Sequence, residues 1–241
     1  MTTGHLPGCA CCAPRLGRRV AARTAFAASA AMAAAGGALR PAAAFAQAGR
    51  PATPQAAIDA LMAGNGRFVS KQSGMAACTV DLGALKQATA SGQAPFAAVL
   101  GCADSRVPPE LAFDVTIGDL FVCRVAGNIA SADIIGSLEY GAAVLGTKAI
   151  LVMGHSSCGA VHATMEGKAV PGQISTLYRS IRPAMAVGGH DEAAVVKANA
   201  RIQAALLRDS SPVLADMVKQ GKLSVLAAYY ELATGQVTLL D

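Results

Sequence analysis

The chain has 241 residues, 53% hydrophobic and 15% charged, which argues against disorder and fits one domain with an appendage. It has no Trp and only 4% aromatic residues, so an aromatic-rich binding face is not expected. The net charge of +5 traces to Arg15, Arg18, Arg19, Arg23 and Arg40, in a stretch without Asp or Glu; the other 15 basic and 15 acidic residues balance, which argues against a nucleic-acid surface.

Residues 1–48 read as a processed address. Arg18-Arg19 precede a weakly apolar, alanine-rich stretch over 20–39, and A-x-A patterns follow at 44–46 and 46–48, which place cleavage after Ala46 or Ala48. The paired arginines resemble a twin-arginine signal, which predicts a periplasmic or secreted protein. Arg23, Ser29 and a Gly pair interrupt the stretch, so no stable membrane span is expected. Cys9, Cys11 and Cys12, with His5, lie ahead of this segment and read as incidental.

From Pro51 onward the pattern is globular. Spacing of Ile58, Leu61, Met62 and Phe68 predicts a helix over 54–69, interrupted around Gly64-Asn65-Gly66. A buried strand is expected at 95–101 (PFAAVLG), a second at 120–125 and a third at 149–154 (AILVMG). Between the last two, Ile134, Ile135, Leu138, Ala142 and Leu145 recur at helical spacing over 131–145, with Ser131 or Asn128 available as a cap. Further helices are predicted at 160–166, 174–186, 193–207 and 213–220, then a strand at 223–232 and a hairpin at Thr234-Gly235 into a short strand at 237–240. Strands alternating with helices imply an α/β fold with a central, mostly parallel β-sheet flanked by helices. Residues 49–241 are expected to form this single domain.

Two strands end in unusual chemistry: Cys102-Ala-Asp104-Ser105-Arg106 after the first, His155-Ser-Ser-Cys158-Gly159 after the third. Ligand sites in parallel sheets gather outside the carboxyl ends of strands, so neighbouring strands would bring these loops together. Cys102, His155 and Cys158 supply two thiolates and an imidazole, a set suited to tetrahedral Zn2+ with a fourth position open, as a catalytic zinc needs. Alone, a Cys after a buried strand is more often a small core residue than a ligand and H-x-x-C is a weak signal; a structural zinc would need a fourth ligand, for which Cys123 is nearest.

The segments CADSRVPPE, GN and GHSSCGA, with Leu61-Met-Ala-Gly-Asn65-Gly-Arg-Phe68, resemble the β-class carbonic anhydrases over roughly residues 54–240, and an exported bacterial type at that. The resemblance implies Cys102, His155 and Cys158 as zinc ligands and Asp104 with Arg106 as a catalytic dyad. It implies reversible hydration of carbon dioxide to bicarbonate and a proton by attack of zinc-bound hydroxide. Asp104 would accept a hydrogen bond from that hydroxide while Arg106 holds it; when the pair opens, Asp104 would become the fourth zinc ligand and close the site. Arg124 and Tyr230 match a bicarbonate pocket, although Val99 stands where regulated members carry Trp. The helix over 54–69 matches an N-terminal helical arm wrapped over a neighbour, which implies a homodimer or higher homo-oligomer. Hydrolysis of carbonyl sulfide or carbon disulfide on the same scaffold, or a non-catalytic zinc module, are alternatives the motifs leave open.

Several other residues carry weaker signals. His162 would either face the site as a proton shuttle or cap a surface, and His190 falls in a turn. Glu110, Asp119 and Glu139 read as structural partners. Cys78 and Cys123 would either pair, as in an exported protein, or stay free and buried.

Overall fold

A computed structural model of the chain describes residues 49–73 and 81–240. Helix α1 (Pro54–Val69) starts at Thr53, whose side chain accepts the Ala56 N–H, with Pro54 preset for the first turn. It is continuous across Gly64-Asn65-Gly66, where an interruption was expected. The two residues at the centre are packing devices. A Cβ on Gly64 would lie 1.8 Å from the Phe113 carbonyl oxygen, so only glycine lets that backbone approach. Buried Asn65 donates to the carbonyls of Ala112 (2.9 Å) and Gly235 (2.8 Å) and accepts from the Val237 N–H (2.8 Å). Three satisfied backbone bonds make an amide tolerable inside an apolar layer.

After α2 (Leu82–Thr89) come β1 (Ala97–Gly101), the short α3 (Pro109–Ala112), β2 (Leu120–Arg124) and α4 (Ala132–Ala143). Then follow β3 (Ala149–His155), α5 (Gly159–Glu166), α6 (Ser175–Gly188), α7 (Glu192–Ser210) and α8 (Pro212–Lys219), and the chain closes with β4 (Ser224–Tyr230) and β5 (Val237–Leu239). The sheet order is β2-β1-β3-β4-β5, with β1 to β4 parallel and β5 antiparallel to β4. This is the α/β architecture the sequence predicts. Helices α2 and α3 were not anticipated; α2 is two turns long and buries none of its residues, and α3 is a single turn.

Strands β1 and β3 are buried along their whole length, which is why they read as continuous apolar runs rather than alternating ones. On one sheet face Val99, Leu151, Met153 and Ala228 pack with Ala57, Ile58 and Leu61 of α1 and with Phe113. The inner side of the arm helix therefore docks on its own chain's sheet. On the other face Leu100, Ile150, Val152 and Ala227 pack with Leu138, Ala204, Leu207 and Leu214 from α4, α7 and α8. Among the described residues no helix is long and apolar enough to cross a membrane.

Candidate metal centre

The register sets β1 Gly101 beside β3 Met153, so the loops leaving both strands emerge at one carboxyl edge. There Cys102 follows β1, His155 ends β3 and Cys158 caps α5, and their ligand atoms all lie within 4.8 Å of one another. All three residues are buried, His155 completely. Cys123 is not in the cluster: it pairs with Leu100 in the register and packs into the core on the α4, α7 and α8 face. A fourth protein ligand from that position is thus absent among the described residues.

Each donor is aimed by its surroundings. The His155 Nδ1 faces the Ser156 carbonyl at 2.9 Å; a carbonyl only accepts, so Nδ1 carries the proton and Nε2 presents its lone pair. That Nε2 is buried and has no hydrogen-bond partner. The Gly127 N–H donates to Cys102 Sγ at 3.3 Å. Cys158 stands at the N-cap of α5, where the first-turn N–H groups and the helix dipole favour a thiolate. The contact from Cys158 is the main reason that Cys102 is lowered to about 4, against the opposing effect of burial. The same contact, with burial, pushes Cys158 up. Burial alone would lower His155, but the neighbouring Cys102 sulfur and its charge raise it on balance. Two sulfurs competing for a proton beside an unpaired imidazole nitrogen form a donor set that fits tetrahedral zinc.

Asp104 stands beside this cluster. Its Oδ1 accepts from the Arg106 backbone N–H and Nε, both at 2.9 Å, and its Oδ2 from an Arg106 guanidinium NH2 at 2.6 Å. Those bonds hold the carboxyl well below the usual carboxylate range. Asp104 Oδ2 lies 3.9 Å from His155 Nε2. Arg106 also donates to the Ser157 carbonyl at 3.1 Å, which ties the loop after β1 to the loop after β3. Ser157 adopts the left-handed conformation (φ 52°), and this turns its peptide within the H-S-S-C segment.

Arg124 serves the loop backbone: its Nε donates to the Cys102 carbonyl at 2.8 Å and a terminal nitrogen to the Asp104 carbonyl. Tyr230 is buried beside His155 in the register, and desolvation pushes its hydroxyl up. Val99, Arg124 and Tyr230 share one sheet face, but β2 and β4 are separated by β1 and β3, roughly 14 Å across the sheet. His162 is exposed on α5 with its Nδ1 3.0 Å from Glu192 and its Nε2 4.0 Å from Glu166, and His190 is exposed in its turn. Asp119 accepts from Arg50 (3.2 Å) and from the Thr116 N–H (2.8 Å), and Glu139 from Ser211 (2.5 Å), as structural partners would; Glu110 is exposed at the start of α3. Cys123 is buried and its thiol is pushed up by desolvation, whereas Cys78 lies outside the described residues.

Two features near the ligands escaped the sequence reading. Ser156 Oγ donates to Glu231 at 2.7 Å and accepts the Leu232 N–H at 2.9 Å, which anchors the peptide behind His155. Glu231 is 75 residues away in the chain, so no local pattern marks it. The Gly127 N–H is a backbone group, betrayed only by a glycine just after a strand.

An open parallel sheet with a three-donor metal cluster at its carboxyl edge, and a held carboxylate beside it, defines a metalloenzyme class. The family described as carbonic anhydrase matches residues 97–237. Carbonic anhydrase 2 of Mycobacterium tuberculosis is 34% identical over 196 residues, covering 78% of this chain and 93% of that protein. The carbonic anhydrase of Pseudomonas aeruginosa is 34% identical over 173 residues, covering 65% and 78%. The solved Coccomyxa β-carbonic anhydrase in complex with acetazolamide superposes with a TM-score of 0.57 at 31% identity, over 64% of this chain and 75% of that one. The chain belongs to the β-class carbonic anhydrases, which are zinc enzymes.

Proposed function

We propose that this protein catalyses the reversible hydration of carbon dioxide, with Cys102, His155 and Cys158 holding zinc and Asp104 and Arg106 serving the reaction. The observation that carries this is the Arg106-clamped Asp104 carboxylate 3.9 Å from an unpartnered, buried His155 Nε2. When bound, zinc supplies the Lewis acidity that lowers the pKa of a coordinated water to about 7. Asp104, kept ionised by Arg106, can only accept hydrogen bonds. It therefore takes one from the attacking oxygen and turns that oxygen's lone pair toward the carbon of the substrate. Arg106 keeps Asp104 off the metal position, and opening of this pair would let Asp104 close the site. Arg124 holds the loop carbonyls and so fixes where Cys102 and Asp104 stand; a bicarbonate pocket shared with Tyr230 is the less direct reading of its position.

A stopped-flow assay of carbon dioxide hydration on the zinc-loaded protein tests this. Catalysis is expected, with Asp104→Asn reducing kcat/KM about 10²-fold. A zinc-bound protein inactive throughout about pH 6–9 would overturn it. Carbonyl sulfide turnover exceeding that of carbon dioxide would redirect the assignment.

The reading extends to assembly and location. Strand β2 is a sheet edge whose Leu120, Phe121 and Val122 are only partly covered, an open template for another chain. This supports a homodimer or higher homo-oligomer, and a strict monomer in light scattering would count against it. Residues 1–48, outside the described residues, are proposed as a twin-arginine signal that delivers the 49–241 domain to the periplasm or beyond. Replacing Arg18-Arg19 with two lysines should leave the protein unprocessed inside the cell.

A further inference from the structure

Helix α7 sends two amides into an otherwise apolar interior. Asn199 is fully buried and Gln203 is 2% exposed, one turn apart on the same helix face. Their atoms are closely matched. Gln203 Nε2 donates to Asn199 Oδ1 at 3.2 Å and to the Ser180 carbonyl at 3.1 Å, while Gln203 Oε1 accepts the Ala130 N–H at 2.9 Å. Asn199 Nδ2 donates to the Gly127 carbonyl at 2.9 Å. Burying two amides has a cost that a Leu and an Ala at these sites would avoid, so stability alone is a poor reason for them.

What the pair grips is the turn over 126–130, between β2 and α4. That turn contains Gly127 in the left-handed region (φ 75°), where a Cβ would lie 2.7 Å from Ile181 Cδ1. The turn is thus held by its carbonyl on one side and wedged against Ile181 on the other. Its free N–H is the one that donates to Cys102 Sγ at 3.3 Å. Gly127 is therefore gripped at both ends: its carbonyl accepts from Asn199, itself braced by Gln203, and its N–H donates to Cys102 Sγ. With its carbonyl fixed by Asn199 and the Ala130 N–H fixed by Gln203, Gly127 cannot turn, and its N–H stays aimed at the sulfur.

We infer that Asn199 and Gln203 are positioning residues for the metal centre, which set the strength of the zinc–Cys102 bond through the Gly127 N–H. A hydrogen bond to a ligating sulfur withdraws charge from it, so the metal keeps more of its Lewis acidity. This inference rests on the proposed zinc ligation by Cys102.

The test compares zinc affinity, by chelator competition, and the sulfur-to-metal charge-transfer band of the cobalt(II)-substituted protein. Asn199→Leu keeps the volume and removes the amide. It should weaken zinc binding about 10- to 100-fold and move the band to lower energy. Leu207→Ala, on the same helix but two turns away in the core it shares with α4 and α8, should lower thermal stability and move neither readout. Unchanged affinity and band in folded Asn199→Leu, or equal changes in Leu207→Ala, would overturn the inference. Should Asn199→Leu not fold, Gln203→Met is read by the same two measurements. A third measurement needs no variant: in 113Cd-loaded wild-type protein the Gly127 amide proton should show scalar coupling to the metal, and its absence refutes the relay. Failure of the zinc assignment looks different, since Cys102→Ser would then bind zinc as tightly as the wild type and no such band would exist to shift.

Discussion

At Asp104, hydrogen bonds from a single arginine decide both charge and direction. The Arg106 side chain holds the carboxyl below its ordinary value, so Asp104 stays ionised across the working range. The sign follows from the direction: the stabilisation is fully present above the ordinary carboxylate pKa and is lost as pH falls through the lowered one. Loss of activity between about pH 6 and 8 is therefore expected from the nucleophile, not from Asp104. In Arg106→Gln the clamp is gone, and two changes are expected: kcat/KM falls about 10²-fold, and the Asp104 carboxyl titrates closer to its ordinary range. Stopped-flow rates and carboxyl chemical shifts measured from about pH 2 to 6 check both. Sequence placed Asp104 and Arg106 two residues apart; it did not show that Arg106 also bridges to Ser157, because that contact crosses 51 residues.

Between helix α1 and the sheet, single atoms decide the packing. Leu61→Ala should destabilise by about 2–5 kcal/mol, read by denaturant unfolding, because Leu61 is buried in the layer over Val99 and Leu151. Gly64→Ala sets two effects against each other. Alanine is the better helix former by about 1 kcal/mol, yet its Cβ would sit 1.8 Å from the Phe113 carbonyl oxygen. That clash is with backbone and cannot be relieved by a rotamer, so a net loss of about 1–3 kcal/mol is expected. The glycines around Asn65 looked like breakers in the sequence because propensity counts only the local chain. The helix survives because Asn65 and Gly64 are used for contacts with residues 47 to 172 positions away. The buried strands were legible for the opposite reason: AAVLG and AILVM are apolar on both faces wherever they fold.

For the whole molecule, the two main cores are built without the metal ligands. The two clusters on the sheet faces contain none of the three donors, while Cys102 and Cys158 sit in a third, smaller cluster with Ile129, Val161, Ile181 and Val195 at the carboxyl edge. Chelation should therefore abolish carbon dioxide hydration and lower the melting temperature while far-UV circular dichroism stays native-like; unfolding on chelation would point to a structural metal. The sequence by itself determined the strands, most helices, the parallel architecture and the three donors, because apolar runs and short motifs are local properties of the chain. Only the tertiary structure decided the rest: which His155 nitrogen faces the cluster, that Cys123 points away from it, and that α7 reaches Cys102 through Gly127. The first is set by the Ser156 carbonyl, whose residue is anchored 76 positions away at Leu232; the others depend on strand register and on hydrogen bonds between residues 25 and 72 positions apart, which no local pattern records.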